Sequence, residues 1–184
     1  MRAPAHERNP PPDSPPPVVA IRRVQPADRE RLQAFYAALS SDSRYARFMG
    51  LSGGLSTDAA RTFCTPDHMH DEGFVALAAE EGDERLIGHL CLEPAGARRL
   101  ELAVAVADGY QGQGIGRRLM EAALAWAQEH HVEAILASAF VDNTRVLRLL
   151  ESAPYPVHMA PADGGVVDVV VPLVAELLPD WPVI

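Results

Sequence analysis

Between Val106 and Gly116 the chain reads VADGYQGQGIG, and this run joins two segments of different periodicity. Upstream, Leu100, Leu102, Val104 and Val106 recur at every second residue; downstream, Ile115, Leu119, Ala122 and Trp126 recur at helical spacing. Gly112, Gly114 and Gly116 therefore lie where a strand gives way to a helix. The first N–H groups of a helix lack intrahelical partners and the macrodipole leaves about half a positive charge there, so the junction suits an anion such as a pyrophosphate. Glycines let the backbone come close to it without a Cβ in the way. Arg117 and Arg118 follow in the first turn, where a cation opposes the dipole by about 0.3–1 kcal/mol unless an anion lies nearby. Either they meet that anion or they face solvent.

Two other phosphate-binding patterns are excluded. A dinucleotide fingerprint needs G-x-G-x-x-G and an acidic residue closing a following strand about 20 positions on; the spacing here is G-x-G-x-G, and no acidic residue closes such a strand. A Walker loop needs a lysine, and all 16 basic residues here are arginine. The length of 184 residues and a hydrophobic content of 48% fit one domain with a sizeable core. A formal charge of −9 argues against a nucleic-acid partner and favours cationic ones such as amines. With no leader-like or membrane-spanning run, the expected location is the cytoplasm, where Cys64 and Cys91 stay reduced and no membrane partner is called for. Cys91 reads as core packing within a strand, and nothing marks Cys64 as a nucleophile.

Residues 1–17 are dense in proline and poor in apolar side chains, so they read as a disordered tail. A single domain follows over 18–173, then a C-terminal tail over 174–184. Within the domain, Val18 to Val24 reads as a strand, and a helix starting at Pro26 carries Leu32, Phe35, Tyr36 and Leu39 on one face. Short helices are expected at Ser43 to Met49 and at Thr57 to Phe63. Phe74 to Glu80 and Leu86 to Glu93 form a hairpin across Glu81-Gly82-Asp83, and the strand Arg99 to Val106 comes next. The glycine-led helix ends near His130, Ala134 to Phe140 is a strand, and a helix from Asp142 runs to Glu151. Two strands around Asp163-Gly164-Gly165 close the domain. This order gives an α/β (α+β) fold with a mixed, mostly antiparallel sheet of about six to seven strands flanked by helices.

Gln111, Gly114 and Gly116 resemble the nucleotide-binding motif of the GNAT acyl-CoA N-acyltransferases: Gln or Arg, two residues, Gly, one residue, then Gly or Ala. A second resemblance lies in Ile21 to Gly50, where Leu39, Ser40, Ser43, Arg44, Tyr45, Arg47 and Phe48 are similar to a Leu-Ser-x-x-Ser-Arg-Tyr-x-Arg-Phe run. That run is typical of the GNAT domain of bacterial protein lysine acetyltransferases that act on acyl-CoA synthetases. Together the likeness covers about Val18 to Leu173. It implies a sheet splayed at an acetyl-CoA site and transfer of acetyl to a primary amine, a protein lysine first. A small-molecule amine is the alternative acceptor, and an acyl-CoA sensor without turnover is the alternative class. The large fused domain common in that group is not seen in this sequence, and no oligomeric state is implied.

On that resemblance the backbone of Val104, Ala105 and Val106 would hold the pantetheine arm. The amides from Gln111 through Gly112, Gln113, Gly114, Ile115, Gly116 and Arg117 would hold the pyrophosphate, and Asn143 would touch the donor. Asn143 also reads as a helix cap. An acceptor amine with a reference pKa near 10.4 must lose a proton, and Glu101 is the first candidate base. By alternation it shares a face with Ala103 and Ala105, whose small side chains leave room, and its offset from the glycines matches the base of the lysine acetyltransferases. Its other reading is a solvent-facing strand residue beside Arg98 or Arg99; Glu93 is second in line as base. Where many family members carry a tyrosine as acid for the departing thiolate, this chain has Leu150. Tyr155 reads as core. Asp67, His68, His70, Asp71 and Glu72 lack a completing ligand at metal spacing, so no metal is expected, and this loop is expected to line the acceptor side.

Overall fold

Alternation along Arg99 to Val106 is realised as a strand over those residues, and the rest of the sheet is arranged around it. A computed structural model describes residues 18–50, 54–80 and 83–175. The elements are β1 (Val19–Arg23), α1 (Arg29–Ala38), α2 (Ser41–Phe48), α3 (Thr57–Phe63), β2 (Glu72–Glu80), β3 (Asp83–Pro94), β4 (Arg99–Val106), α4 (Ile115–Glu129), β5 (Ala134–Phe140), α5 (Thr144–Glu151), β6 (His158–Met159) and β7 (Val166–Pro172). The proline-dense segment, the Glu81-Gly82 turn and residues 176–184 with Trp181 lie outside the described residues.

One seven-stranded sheet runs in the order β1-β2-β3-β4-β5-β7-β6. Its strands pair antiparallel except β4 with β5, which are parallel and joined through α4. Helix α4 buries Ile115, Leu119, Met120, Ala123, Leu124, Trp126 and Ala127, a helical stripe that packs with Leu100, Leu102, Leu90 and Leu92 on one face of the sheet. The opposite face is covered by Leu32, Phe35, Tyr36 and Leu39 with Val24, Cys64 and Val75. Each such side chain, fully buried, is worth about 1.5–3 kcal/mol, so the two clusters hold the sheet from both sides.

Local chemistry moves several element ends from where periodicity puts them. Pro26–Asp28 is a separate 3-10 turn, because Asp28 accepts from the Gln25 amide at 2.8 Å and from both Nη atoms of Arg22 at 2.6 and 2.7 Å. Helix α2 starts earlier, capped by Ser40, whose Oγ accepts from the Ser43 amide at 3.2 Å. Helix α5 starts at Thr144, because Asn143 and not Asp142 is the cap. Tyr155 is partly buried against the core, as expected, with its hydroxyl bonded to Gln128.

The sheet buries one polar pair completely. Tyr36 and His89 are both 0% exposed, with the phenol 2.9 Å from His89 Nδ1 and no partner at His89 Nε2. Burial, helped by the nearby Arg47 cation, pushes the His89 pKa down to about 3, so the imidazole folds neutral. Its unfolded counterpart titrates near 6.5, so folding is unaffected above that pH and loses stability as pH falls from 6.5 towards 3. Urea titrations should show wild-type stability falling by about 2 kcal/mol from this group between pH 7.5 and 5. His89→Gln, which keeps a polar partner for Tyr36, should show a correspondingly shallower fall; equal slopes would remove His89 as the source.

Candidate functional site

Pairing between β4 and β5 lasts three rungs, Arg99 with Ala134, Leu100 with Ile135 and Glu101 with Leu136. Beyond Glu101 the two strands part, while β4 stays registered on β3 as far as Val106 opposite Gly88. The β5-facing backbone groups of this stretch therefore have no ladder partner. A buried peptide group needs one, so the opening is a place for a ligand with polar atoms along it. The β3–β4 register runs without a break; the bulge falls between β2 and β3, at Ala76/Leu77. Parity along β4 therefore holds, and Glu101 shares the face of Ala103 and Ala105, away from the Leu100 and Leu102 core.

A cleft of about 1150 Å³ occupies the opening. Its lining includes Val104, Ala105, Val106, Gln111, Gly112, Gly114, Ile115, Gly116, Arg117 and Asn143. Two residues singled out in the sequence stand apart from it. The Gln113 side chain turns back to donate to the Gly109 carbonyl at 3.1 Å. Glu101 is exposed at the apex, in the last rung before the strands separate and opposite Glu93 in β3.

The three glycines differ in their reasons. Gly112 and Gly114 adopt φ of +76° and +79°, and an added Cβ at Gly114 would meet no protein atom within 4 Å. Its restriction is therefore the left-handed backbone, which costs an L side chain about 1–2 kcal/mol, and the space left at the α4 N-terminus. Gly116 lines the cleft and is also a packing residue: a Cβ there would sit 3.3 Å from Leu149 Cδ2, so it sets how closely α5 approaches α4. Helix α4 has no side-chain cap at Gly114, so its leading amides stay open to the cleft.

The paired arginines also separate. Arg118 donates to the Val19 carbonyl at 2.9 Å and ties α4 to β1, whereas Arg117 lines the cleft and bonds Glu121 at 2.9 Å. Arg117, Arg145 and Arg148 line the α4 and α5 side of the cleft with Asp142, and Arg47 lines it from α2 with Asp42. In a chain with a net charge of −9 this is a local excess of cation suited to phosphates. Arg145 and Arg148 escaped the sequence reading; their only signal was i, i+3 spacing on the helix that Asn143 begins. Asn143 caps that helix through Val146 N at 3.3 Å and lines the cleft as well.

Asp108 is the other residue that sequence reasoning missed. Its carboxylate accepts from Ser40 N at 2.9 Å, Ser40 Oγ at 2.7 Å and Ser43 Oγ at 2.6 Å. Burial raises its pKa, but the hydrogen bonds from Ser43 and Ser40 outweigh that and hold it below the usual carboxylate range. Gln111 Nε2 lies 3.2 Å from Ser43 Oγ and donates to the Val106 carbonyl at 3.0 Å, while its Oε1 accepts from Arg145. Helix α2, the glycine loop and α5 are thus joined by one polar network. Tyr45 of α2 adds a stacked contact with Phe140 at the end of β5, ring centroids 5.0 Å apart.

The acidic and histidine-rich loop is closed on itself. Asp67 Oδ1 accepts from the Met69 and His70 amides at 2.8 and 2.7 Å, and buried Glu72 pairs with His68 at 3.0 Å and Arg23 at 3.2 Å. None of residues 67–72 lines the large cleft. Among the described residues no group of three or more His, Cys, Asp or Glu side chains is arranged to hold a metal. No helix among them is long and apolar enough to cross a membrane.

A sequence model of the Acetyltransferase (GNAT) family matches residues 29–153, from α1 to the end of α5. The chain belongs to this family. Similar solved structures include the GNAT domain of S. lividans PAT, 26% identical with a TM-score of 0.73, covering 83% of this chain and 89% of that one. Another is yncA from Salmonella typhimurium solved with acetyl-CoA, 19% identical with a TM-score of 0.67 and coverages of 88% and 98%. The acetyltransferase PA5475 of Pseudomonas aeruginosa is 35% identical over 106 residues, so the match spans 55% of either chain, about half the length of this relative. The cleft has open amides at an uncapped helix start, a cation-rich rim and a strand whose β5-facing backbone lacks ladder partners, features that suit a phosphate-bearing ligand.

Asp108→Asn should weaken the α2 network. The expected loss is about 1 kcal/mol in urea unfolding, the low end for a hydrogen-bonded charge because the site is only half-buried. Amide hydrogen exchange in α2 should accelerate more than in β2; uniform acceleration would deny Asp108 a local role.

Proposed function

We propose that this acetyltransferase transfers acetyl from acetyl-CoA to a primary amine by direct attack in a ternary complex, with Glu101 as general base. The observation that carries this is the placement of Glu101: an exposed carboxylate in the last paired rung, where the slot between β4 and β5 begins. From there it withdraws a proton from the incoming ammonium through a water, leaving the neutral amine that attack requires. Bound acetyl-CoA supplies an electrophilic thioester. Amides of Val104 to Val106 fix and polarise its carbonyl, and the Gln111 to Gly116 loop with Arg117 and Asn143 holds the pyrophosphate end. Leu150 is 0% exposed, so α5 offers no acid at that position, and the thiolate departs near its own pKa without one.

A protein lysine is the proposed acceptor. It rests on the likeness to the PAT domain and on the Leu39 to Phe48 run, most of which folds as α2 and lines the cleft. Glu93, register partner of Glu101, adds a second exposed carboxylate where a cationic side chain would enter. A cytoplasmic setting accords with this acceptor and with two reduced cysteines.

Glu101→Gln should keep acetyl-CoA affinity while lowering turnover by about 10²-fold or more. Gly114→Val, strained at its φ and filling the space before α4, should lose acetyl-CoA binding measured by calorimetry. Labelled acetyl-CoA added to a cell lysate should deliver label to protein with wild type and not with Glu101→Gln. Label confined to low-mass compounds would transfer the reading to a small amine, and equal turnover by the variant would remove Glu101 from the chemistry.

A further inference from the structure

Arg47 is a cation enclosed by uncharged groups. Its guanidinium carbon lies 5.2, 5.6 and 5.8 Å from the ring centroids of Phe48, Phe63 and Tyr36. One Nη donates to Cys91 Sγ at 3.2 Å, and Nε is enclosed with no partner. Among the described residues no carboxylate forms a salt bridge with it. The groups packed on it carry no charge at neutral pH: burial pushes the Tyr36 phenol up to about 12 and the Cys91 thiol up to about 11, and His89 is held neutral. Aromatic faces attract a guanidinium, and the Glu93 carboxylate acts on it through space, but no anion touches it in a site largely shielded from water.

Its location says which anion would balance it. Cys91 is the register partner of Ala103, and Glu93 is the partner of Glu101. Residues two apart on a strand share a face about 6.5–7 Å apart. The shelf formed by β3 and β4 therefore has two exposed carboxylates at one step and Arg47 over the next, with the small side chains of Ala103 and Cys91 between. Arg47 also lines the cleft. The pyrophosphate end lies past Val106, beyond the far end of β4, so a donor phosphate is not the natural partner here.

We propose that Arg47 is a recognition subsite for a carboxylate of the acceptor, so that the slot takes an amine towards Glu101 and Glu93 and a neighbouring carboxylate towards Arg47. This rests on Glu101 as the base and adds a chemical requirement to the acceptor. The carboxylate belongs either to an acidic residue beside the target lysine or to a free amino acid.

Two substrate pairs test it: a lysine peptide with Glu or Gln beside the lysine, and an amino acid with its carboxamide. The carboxylate member of at least one pair should be favoured about tenfold or more in kcat/KM, through KM. Arg47→Met should abolish the preference and Arg47→Lys restore part of it. A buried unpaired cation replaced by an apolar side chain of similar length should leave thermal stability equal or higher, whereas a purely structural role predicts a lower Tm for Arg47→Met. Preference in the peptide pair assigns the carboxylate to a neighbouring residue, and preference in the amino-acid pair assigns it to the acceptor itself. Equal use of both members, or a preference that survives in Arg47→Met, overturns the subsite and leaves Glu101 untouched. No transfer to any of the four overturns the acceptor reading beneath it.

Discussion

Everything in the site depends on how briefly β4 and β5 stay paired. A parallel ladder interrupted after three rungs leaves polar backbone facing a gap in the middle of a sheet, where water or a ligand must serve it. The gap persists because each strand is held firmly on its other side, β4 by β3 along its upper length and β5 by β7 over seven register pairs. The apolar stripe of α4 fixes the strands from one face. Neither strand can slide across to close the slot without losing those contacts.

Around the slot, distant parts of the chain are held by short polar links rather than by the core. Ser40 and Ser43 reach Asp108 across 68 and 65 residues, and Gln111 then meets Ser43, the Val106 carbonyl and Arg145. Arg44 donates to the carbonyls of Ala37 and Leu39, so it secures α2 to the end of α1. The polar residues of the Leu39 to Phe48 run thus divide the work physically. Ser40 caps α2, Ser40 and Ser43 clasp Asp108, Arg44 anchors the helix, and Arg47 faces the shelf. Packing is sparse here, since no α2 residue is fully buried, so hydrogen bonds decide its position.

What could be read from sequence was what depends on neighbours along the chain. Strand alternation put Glu101 on the face of Ala103 and Ala105, where the structure has it, and helical spacing located α4 to within a residue of its end, because both periods are local and strong. The glycine junction was legible for the same reason. Asp108 was not, because an aspartate in a turn looks like any other until its serine partners are brought to it. Arg145 and Arg148 carried no signal beyond their spacing, and Arg118, read as meeting an anion or facing solvent, is a tie to β1. Gly116 reads as a phosphate glycine and, besides lining the cleft, serves the contact with Leu149, a role only the α4–α5 approach reveals.

Strand β4 also separates the two chemistries that the reaction requires. Its even positions, Leu100 and Leu102, join the core under α4, whose uncapped start and flanking arginines make one end of the cleft cationic. Its odd positions, Glu101, Ala103 and Ala105, face the other layer, where Glu93 and Glu101 make an anionic entrance. In the proposed reaction, a donor with phosphates and an acceptor with an ammonium would thereby be drawn to different ends, and like-charge repulsion would discourage either from taking the other's place. Arg47 breaks this division, being a guanidinium on the acidic side. A cation there accords with the proposed dipolar acceptor, whose carboxylate would meet Arg47 while its ammonium meets Glu101 and Glu93.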